Sequence, residues 1–329
     1  MPNTMKGTGV HGDDGSFTFT PDPTDGGGGG GTPPPSGGGG YDLSRPPFSA
    51  ASLWNQAIRS GASYVRLAWP SPGATPGNYE VTPQWGVYVA VDSDPMVSVD
   101  VPASWGWPAG PINIRVPAGV GGGGGGGSIP DNAIVIISGD IVWNFWRFHR
   151  TSDTTATAEA YGKAHVTDDT GWGFHQTPTE ENDWQSNVGA GVGAAGNSEF
   201  AGMLIQAETD AGPINHALQM ALSPELLLPG HIDPPAIAND GTSPSGFAKE
   251  GQLLGIPPKV NAPGGLSPLG RKVFDAMKRY GVYITERGGE PGQIGQNCFR
   301  SQQNAYDDAT INALRSDVQK LFPLLQAVS

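Results

Sequence analysis

Seven consecutive glycines, Gly121–Gly127, interrupt the middle of the chain between the apolar stretches INIRVPAG and DNAIVII. Glycine loses more backbone freedom on folding than any other residue and has no side chain to bury, so such a run cannot build a core. The sequence predicts an expanded surface turn between two adjacent strands. The alternative is an extended polyglycine rod whose bare backbone packs closely against a neighbouring chain.

The composition predicts a loop-rich β protein. The chain has 329 residues, of which 51 are glycine and 31 proline. Charged residues make up only 15%, which excludes a highly charged disordered chain. Nine tryptophans and eleven phenylalanines supply enough aromatic area for a core.

The charge balance narrows the choice of partners. A net charge of −13 and a pI near 4.7 argue against nucleic acid or an anionic membrane surface, because both bind basic patches. No apolar run is long enough to predict a membrane span. The single cysteine, Cys298, excludes a disulfide framework and a CxxC metal site. The N-terminal residues contain no apolar segment typical of a Sec signal, so release within a virus particle is the expected route out of a cell.

Composition also predicts three regions. Residues 1–40 contain a short alternating strand, GSFTFTP, followed by Gly- and Pro-rich sequence, and are predicted to form an arm and linker. Residues 41–290 are predicted to form the β-rich globular domain. Residues 291–329 are predicted to form a C-terminal helical segment.

The predicted fold class is mainly β, a jelly-roll-like β-sandwich with long Gly-rich loops and one or two helices near the C-terminus. Short alternating runs such as NYEVTPQWGVYVAVDS, PMVSVDVP, AIVIIS and DIVWNFWRFHR predict strands separated by turns. SPLGRKVFDAMKRYG predicts a helix capped by Ser267, and VYITE predicts a strand returning to the sheet. DDATINALRSDVQKLFPLLQAV predicts the last helix.

Two resemblances extend this interpretation. The stretches PFSAASLWNQAI, AIVIISGDIVWNFWRF, INHALQMAL and FDAMKRYGVYITERGG resemble a group of actinobacterial extracellular β-rich proteins, over most of residues 41–289. That resemblance implies no catalytic residues. The polyglycine runs, the absent signal and the arm resemble minor tail proteins of phages infecting actinobacteria. The second resemblance implies a virion tail location, other tail proteins as partners, assembly as a homo-oligomer and contact with a host-surface polysaccharide.

One candidate catalytic cluster lies in VWNFWRFHR and AEAYGKAH. If the two segments pair as a hairpin, a histidine, a tyrosine and an arginine come together on one face, the groups that a polysaccharide lyase needs. Tyr161 would be the acid, His149 or His165 the base, and Arg147 the cation that neutralises a uronate. The alternative is that these residues lie on a solvated strand face.

Paired carboxylates for glycoside hydrolysis are the competing hypothesis. The candidate carboxylates are Asp168, Asp169, Glu180, Glu181, Asp183, Glu199, Glu208 and Asp210. The sequence gives no distances between them, so no catalytic pair can be selected. The alternative is that these loop carboxylates are simply solvated. His216, in an apolar run, is predicted to be a buried, hydrogen-bonded histidine. His231, Asp233 and Asp240 could join His216 around an ion, but their spacing matches no zinc signature, so neither a metal nor another cofactor is predicted. The glycines of VGAGVGAAG imitate a nucleotide loop without the flanking strand and helix.

Tryptophans in glycine-flanked loops are the candidate glycan-binding residues, because indole faces stack on sugar rings; they are Trp105, Trp107, Trp172 and Trp184. Burial in the core is the alternative. The sequence thus leaves two functions, a phage minor tail protein that contacts host-surface glycan, and a polysaccharide-degrading lyase or hydrolase that is free or carried on the tail.

Overall fold

A computed structural model of the chain describes residues 7–11, 17–21, 40–72, 79–121, 132–175, 187–288 and 297–329. The chain separates into two compact units, Met1–Gly38 and Gly39–Ser329. In the first unit, the strands β1 (Gly7–His11) and β2 (Phe17–Pro21) pair as an antiparallel hairpin. β2 covers the alternating residues predicted to form a strand.

The second unit is built mainly of β-strands. In chain order they are β3 (Tyr64–Arg66), β4 (Tyr79–Ala90), β5 (Met96–Asp100), β6 (Ile112–Arg115), β7 (Ile134–Ser138), β8 (Ile141–Trp146), β9 (His149–Arg150), β10 (Thr155–Thr157), β11 (Ala160–His165), β12 (Phe174–His175), β13 (Asn187–Val188), β14 (Leu218–Leu222), β15 (Leu227–Ile232), β16 (Ala248–Glu250), β17 (Leu253–Gly255), β18 (Val282–Arg287), β19 (Asn297–Gln302) and β20 (Gln326–Val328). The helices are α1 (Gln206–Ala211), α2 (Pro268–Arg279) and α3 (Asp308–Leu321), with 3-10 turns at Leu53–Asn55, Pro224–Leu226 and Phe322–Leu324. The prediction of a mainly β fold is confirmed.

Ten of these strands form one mixed sheet in the order β11-β8-β7-β4-β19-β14-β18-β17-β20-β3. A second sheet, β6-β5-β10-β9, packs on the β7–β8 part of the first, as in a sandwich. The core between the two sheets contains Val97 and Val99 from one sheet and Ile136 and Phe145 from the other.

The helices cover the other half of the large sheet. Ser267 accepts a hydrogen bond from the main-chain N–H of Gly270 and caps α2, and Leu269, Val273 and Met277 form its buried face. Asp307 caps α3 in the same way. Leu314, Val318 and Leu321 of α3 pack in the same core as α2 and the sheet, so the C-terminal helix lies within the second unit. No helix among the described residues is long and apolar enough to cross a membrane.

The prediction that adjacent strands flank the polyglycine run is wrong. β6 pairs with β5 in the small sheet, whereas β7 pairs with β4 and β8 in the large sheet. The connection therefore passes from one layer of the sandwich to the other, which a tight hairpin turn cannot do. Residues 122–131 lie outside the described part of the chain, and so do most of the seven glycines.

Gly121, the first glycine of the run, is described and is tightly packed. Its carbonyl accepts a hydrogen bond from the main-chain N–H of Arg150. Its φ is +72°, and a Cβ built on it would lie 2.4 Å from the ring of Phe148, which is fully buried. Gly119, two residues earlier, has a similar φ of +82° but open space around it.

This difference predicts the outcome of a matched pair of substitutions. Gly119→Ala should lower the free energy of unfolding by about 1 kcal/mol, because alanine is strained at a positive φ. Gly121→Ala should cost about 2–4 kcal/mol, because the methyl group must also displace Phe148 from a packed core. Urea denaturation of both variants measures the difference, and equal losses would contradict the packing described for Gly121.

Candidate functional site

The predicted antiparallel pairing of β8 and β11 forms, with Phe145 opposite Tyr161 and Trp143 opposite Lys163. The two strands are not a simple hairpin, because β9 and β10 lie between them in the chain and belong to the small sheet. The predicted alternation ends early, however, because Arg147 takes a left-handed φ of +54° and breaks the strand after Trp146. His149 therefore lies on a separate strand, β9, and pairs with Thr157 in the small sheet.

Each of the four predicted catalytic residues has its own surroundings. Arg147 contacts Glu159 at 2.9 Å and stacks over the ring of Trp146. Nδ1 of His165 lies 3.2 Å from Oδ2 of Asp140. His165 is also distant from Tyr161, because four residues of strand β11 separate them by about 13 Å. His149 is exposed.

Tyr161 is the least suited of the four to its predicted role. It is buried in the core between the sheets, and its hydroxyl donates to the carbonyl of Pro108 at 2.6 Å. Burial raises the pKa of this hydroxyl to about 12, which makes it a poor source of protons at neutral pH.

The tryptophans differ in exposure. Trp172 is buried and stacks on Trp54 with ring centroids 4.8 Å apart. Trp107 is also buried, and its Nε1 donates to the carbonyl of Gly189. These environments favour the alternative that Trp107 and Trp172 are core residues and do not bind glycan. Trp184 lies outside the described residues, and Trp105 is partly exposed.

Trp105 stands on a tight turn with an unusual backbone. The N–H groups of Ser104 and Trp107 donate to each other's carbonyls, at 3.0 and 2.8 Å, which closes the turn around Trp105 and Gly106. Both central residues have positive φ, +50° and +78°. Asparagine or glycine normally occupies such positions, because a larger side chain is strained there.

A lysine joins the aromatic residues beside this turn. The ammonium of Lys163 lies 4.9 Å from the centroid of Trp107 and 5.2 Å from that of Trp143. Trp143 and Lys163, like Trp105, are partly exposed. We call Trp105, Trp143 and Lys163 the tryptophan–lysine surface, because Lys163 contacts Trp143 and also Trp107, which lies in the same turn as Trp105. Its cation and rings are suited to the hydroxyls and apolar faces of sugars.

The sequence interpretation missed a buried polar network on the opposite face of β8. The side-chain N–H of Asn144 donates to the carbonyl of Ala190 at 3.2 Å. Its side-chain oxygen accepts from the Ser198 hydroxyl and from the main-chain N–H of Glu199. Gln219 of β14 donates to the carbonyl of Glu199 at 2.6 Å. The network thus joins an irregular segment to two strands of the large sheet.

The glycines of VGAGVGAAG surround the carboxyl of Glu199. A Cβ on Gly191 would lie 2.5 Å from Oε2 of Glu199, and one on Gly193 would lie 2.9 Å from Oε1. Gly162 of β11 approaches the same segment, since its Cβ would lie 2.3 Å from the carbonyl oxygen of Gly191. These glycines are therefore required for close packing, and the resemblance to a nucleotide loop is coincidental.

Glu199 holds a proton near neutral pH. Its side chain is buried, and Oε2 accepts the main-chain N–H of Val192 at 3.1 Å. Oε1 has no hydrogen-bond partner among the described residues, and neither has Oδ1 of Asn197. Burial raises the pKa of Glu199 to about 8. The idea that these loop carboxylates are solvated is thus wrong for Glu199, and also for Glu208, which is 3% exposed.

Glu208 pairs with His216 in the core. Oε2 of Glu208 lies 2.9 Å from Nε2 of His216, and the histidine is only 1% exposed. The prediction that His216 is buried and hydrogen-bonded is confirmed. Burial lowers its pKa, but the charge of Glu208 and the hydrogen bond to it together raise that pKa above the ordinary value.

A second buried carboxyl lies beside a group of arginine–carboxylate pairs. Arg300 of β19 contacts Glu286 of β18 at 2.5 Å. Burial alone lowers the pKa of Arg300, yet the charge of Glu286 and the hydrogen bond to it hold that pKa above the ordinary value. Glu250 of β16 is 1% exposed, and burial followed by the neighbouring Asp240 charge raises its pKa well above the ordinary range. We call Asp240, Glu250, Glu286, Arg287 and Arg300 the carboxylate–arginine cluster.

None of these groups forms a metal site. Among the described residues, no three histidine, cysteine or acidic side chains converge in a way that could hold a metal ion. Asp233, a candidate ligand from the sequence, instead contacts Lys249 at 3.0 Å. The side chains of the carboxylate–arginine cluster can themselves supply acid–base groups and hydrogen bonds.

The buried proton of Glu199 predicts a pH-dependent stability. The carboxyl titrates near 4.5 when exposed and near 8 when folded, so the unfolded chain releases a proton that the folded chain keeps. Through Glu199 alone, the free energy of unfolding should fall by at most about 5 kcal/mol as the pH rises from 4.5 to 8. Glu199→Gln cannot ionise and should remove this part of the decline, whereas Glu250 and His216, whose pKa values are also raised on folding, continue to contribute.

Urea denaturation between pH 5 and pH 9 measures the effect. Glu159→Gln, which removes an exposed carboxylate paired with Arg147, is the matched control and should retain the wild-type decline. The burial assigned to Glu199 is wrong if its glutamine variant shows the same pH dependence as the wild-type chain.

Comparisons with known proteins leave the site to be interpreted from its chemistry. No protein-family model matches the chain, and no curated protein and no solved structure matches it.

Proposed function

We propose that the chain is a phage tail protein whose β-rich unit contacts a polysaccharide of the host surface. Trp105 is the observation that carries the glycan contact. A tryptophan at φ +50° is less stable than asparagine or glycine in the same turn, and such strain is concentrated at functional sites. The turn is held rigidly, because the N–H of Gly189 also donates to the carbonyl of Trp105.

The tryptophan–lysine surface provides two kinds of sugar contact. The partly exposed rings of Trp105 and Trp143 offer apolar faces, and Lys163 offers hydrogen-bond donors. The chain as a whole has a net charge of −13, which disfavours non-specific adhesion to anionic surfaces. A surface glycan that is neutral, or acidic only at intervals, fits this combination.

The arrangement of the chain supports the tail location. The hairpin of β1 and β2 belongs to a compact unit separate from the β-rich unit. Sequence rich in glycine and proline joins the two, as expected for a tether. We propose that the first unit attaches the protein to other tail proteins and that several copies assemble there.

The strain at Trp105 allows a test that separates binding from stability. Trp105→Asn should change the free energy of unfolding by no more than about 1 kcal/mol, because relief of the positive φ offsets the lost packing of the ring against the core between the sheets. The same change should weaken co-sedimentation with host cell-envelope fragments by about fivefold to tenfold.

Leu53→Asn is the matched control, because Leu53 is another exposed apolar residue, at 45%, in a different part of the chain. It should bind the fragments as the wild-type chain does. Undiminished binding by Trp105→Asn would contradict the glycan contact. Equal weakening by both variants would mean that the contact is merely non-specific adhesion.

Deletion of residues 1–38 tests the tail attachment. The shortened chain should keep the melting temperature of the β-rich unit and its binding to envelope fragments, because the two units are compact separately. It should fail to enter tails when supplied to a phage lacking the intact gene product. Normal incorporation of the shortened chain would rule out attachment through the first unit.

A further inference from the structure

The two edges of the ten-stranded sheet differ. At one edge, the main-chain N–H of Tyr161 in β11 donates to the Ser104 hydroxyl at 3.0 Å, and that hydroxyl donates to the Tyr161 carbonyl at 3.1 Å. At the other edge, β3 pairs with β20 on its inner side, and no main-chain hydrogen bond from another described residue reaches its outer side. An unpaired strand edge is a place where a further strand can join a sheet.

The register of β3 shows which of its main-chain groups face outward. Ser63 and Ser329 exchange both main-chain hydrogen bonds, at 2.9 and 3.1 Å. Hydrogen-bonded positions alternate along an antiparallel pair, so Val65 bonds β20, whereas Tyr64 and Arg66 direct their N–H and carbonyl groups away from it. A further antiparallel strand would therefore meet two donors and two acceptors on this edge.

The side chains of β3 are available at the same edge. Val65 is 57% exposed, more than any other large apolar side chain among the described residues. Arg66 is also exposed. The partly exposed ring of Tyr64 lies beside Gly255 of β17, where a Cβ would be 3.4 Å from Cε1 of the tyrosine. Alternation along the strand places Tyr64 and Arg66 on one face and Val65 on the other.

We propose that β3 pairs with β3 of a second copy of this chain, in antiparallel orientation about a twofold axis at Val65. In this register, each Val65 lies opposite the other, and each Tyr64 lies opposite Arg66 of the second copy. A guanidinium over a tyrosine ring is attractive, and side chains at a non-hydrogen-bonded position come close together. A register centred on Arg66 would place two like charges opposite each other. The side chains of β3 therefore complement a second copy in one register.

The pairing has a consequence for the tryptophan–lysine surface. β11, which carries Lys163, lies at the opposite edge of the same sheet from β3. Two copies joined at β3 would carry two such surfaces at the far ends of one continuous sheet and could bind glycan bivalently. This consequence rests on the proposed glycan contact, whereas the pairing itself does not. The contact is small, so the free chains should associate weakly.

Disulfide cross-linking of the full chain tests the pairing and its register. Val65→Cys places two thiols opposite each other with about 4.5 Å between their Cα atoms, a separation that a disulfide can bridge. The native Cys298 is buried. Val91→Cys is the matched control, because Val91 is another exposed valine, at 40%, outside β3. With a mild oxidant, the purified Val65→Cys chain should form covalent dimers about tenfold faster than the control, because pairing raises the local concentration of the second thiol.

A charge reversal tests the side-chain complementarity. Arg66→Glu, added to the Val65→Cys chain, should slow cross-linking about fivefold or more, since it removes the cation from each tyrosine ring. Arg45→Glu makes the same change of net charge at another exposed arginine and should leave the rate unchanged. Equal cross-linking of the Val65→Cys and Val91→Cys chains would overturn the pairing, and so would a rate that Arg66→Glu does not change.

The same variant identifies a different occupant of the edge. If the Val65→Cys chain cross-links only to another protein after incorporation into tails, the edge binds that protein and self-pairing is wrong. Each of these outcomes leaves the glycan contact standing, because Trp105→Asn tests that contact separately.

Discussion

Close packing of the glycine-rich segment 189–196 against the large sheet is the constraint on which the rest of the structure depends. Irregular backbone over a sheet face leaves N–H and carbonyl groups that need partners. Asn144 and Gln219, projecting from β8 and β14, supply several of them, and the facing glycines Gly162 and Gly191 allow the approach. A side chain at either glycine would separate the two layers.

This packing explains why acidic groups are buried in a β-rich core. The segment encloses the Glu199 carboxyl, and Oε2 accepts the main-chain N–H of Val192 while Oε1 has no hydrogen-bond partner among the described residues. A neutral carboxylic acid is then less costly than an ionised one. The charge of Glu286 raises both the pKa of Glu199 and the pKa of Arg300. The polar interior and the partly exposed carboxylate of Glu286 are therefore parts of one electrostatic system.

The sequence predicted the elements whose signals are local. Ser267 and the apolar positions after it predicted α2, and alternation predicted β4, β5, β7 and β8, because capping and periodicity act within a few residues. The order of the strands was not predictable in this way. β4 pairs in parallel with β7 and β19, which begins over 200 residues later, and no local pattern encodes that partner.

The candidate site was predicted less well than the fold, for the same physical reason. Arg147 interrupts a strand that alternation alone continues to His149, and its left-handed backbone has no clear sequence signal. Asp240, Glu250 and Glu286 come from separate parts of the chain and meet only in the folded sheet. Glu199 was among the carboxylates that the sequence offered as candidates. The glycines before it were compared with a nucleotide-binding loop, and no local pattern indicated that they enclose the Glu199 side chain.

Enclosure by the packed glycine segment should hold Glu199 as a neutral acid. Carbon-13 NMR titration of the glutamate side-chain carboxyls, with Glu199→Gln to assign the resonance, measures this directly. We expect the Glu199 carboxyl to remain protonated at pH 7 and to titrate near pH 8. A Glu199 carboxyl that titrates near its ordinary value of 4.5 would show that the glycine segment does not exclude solvent from it.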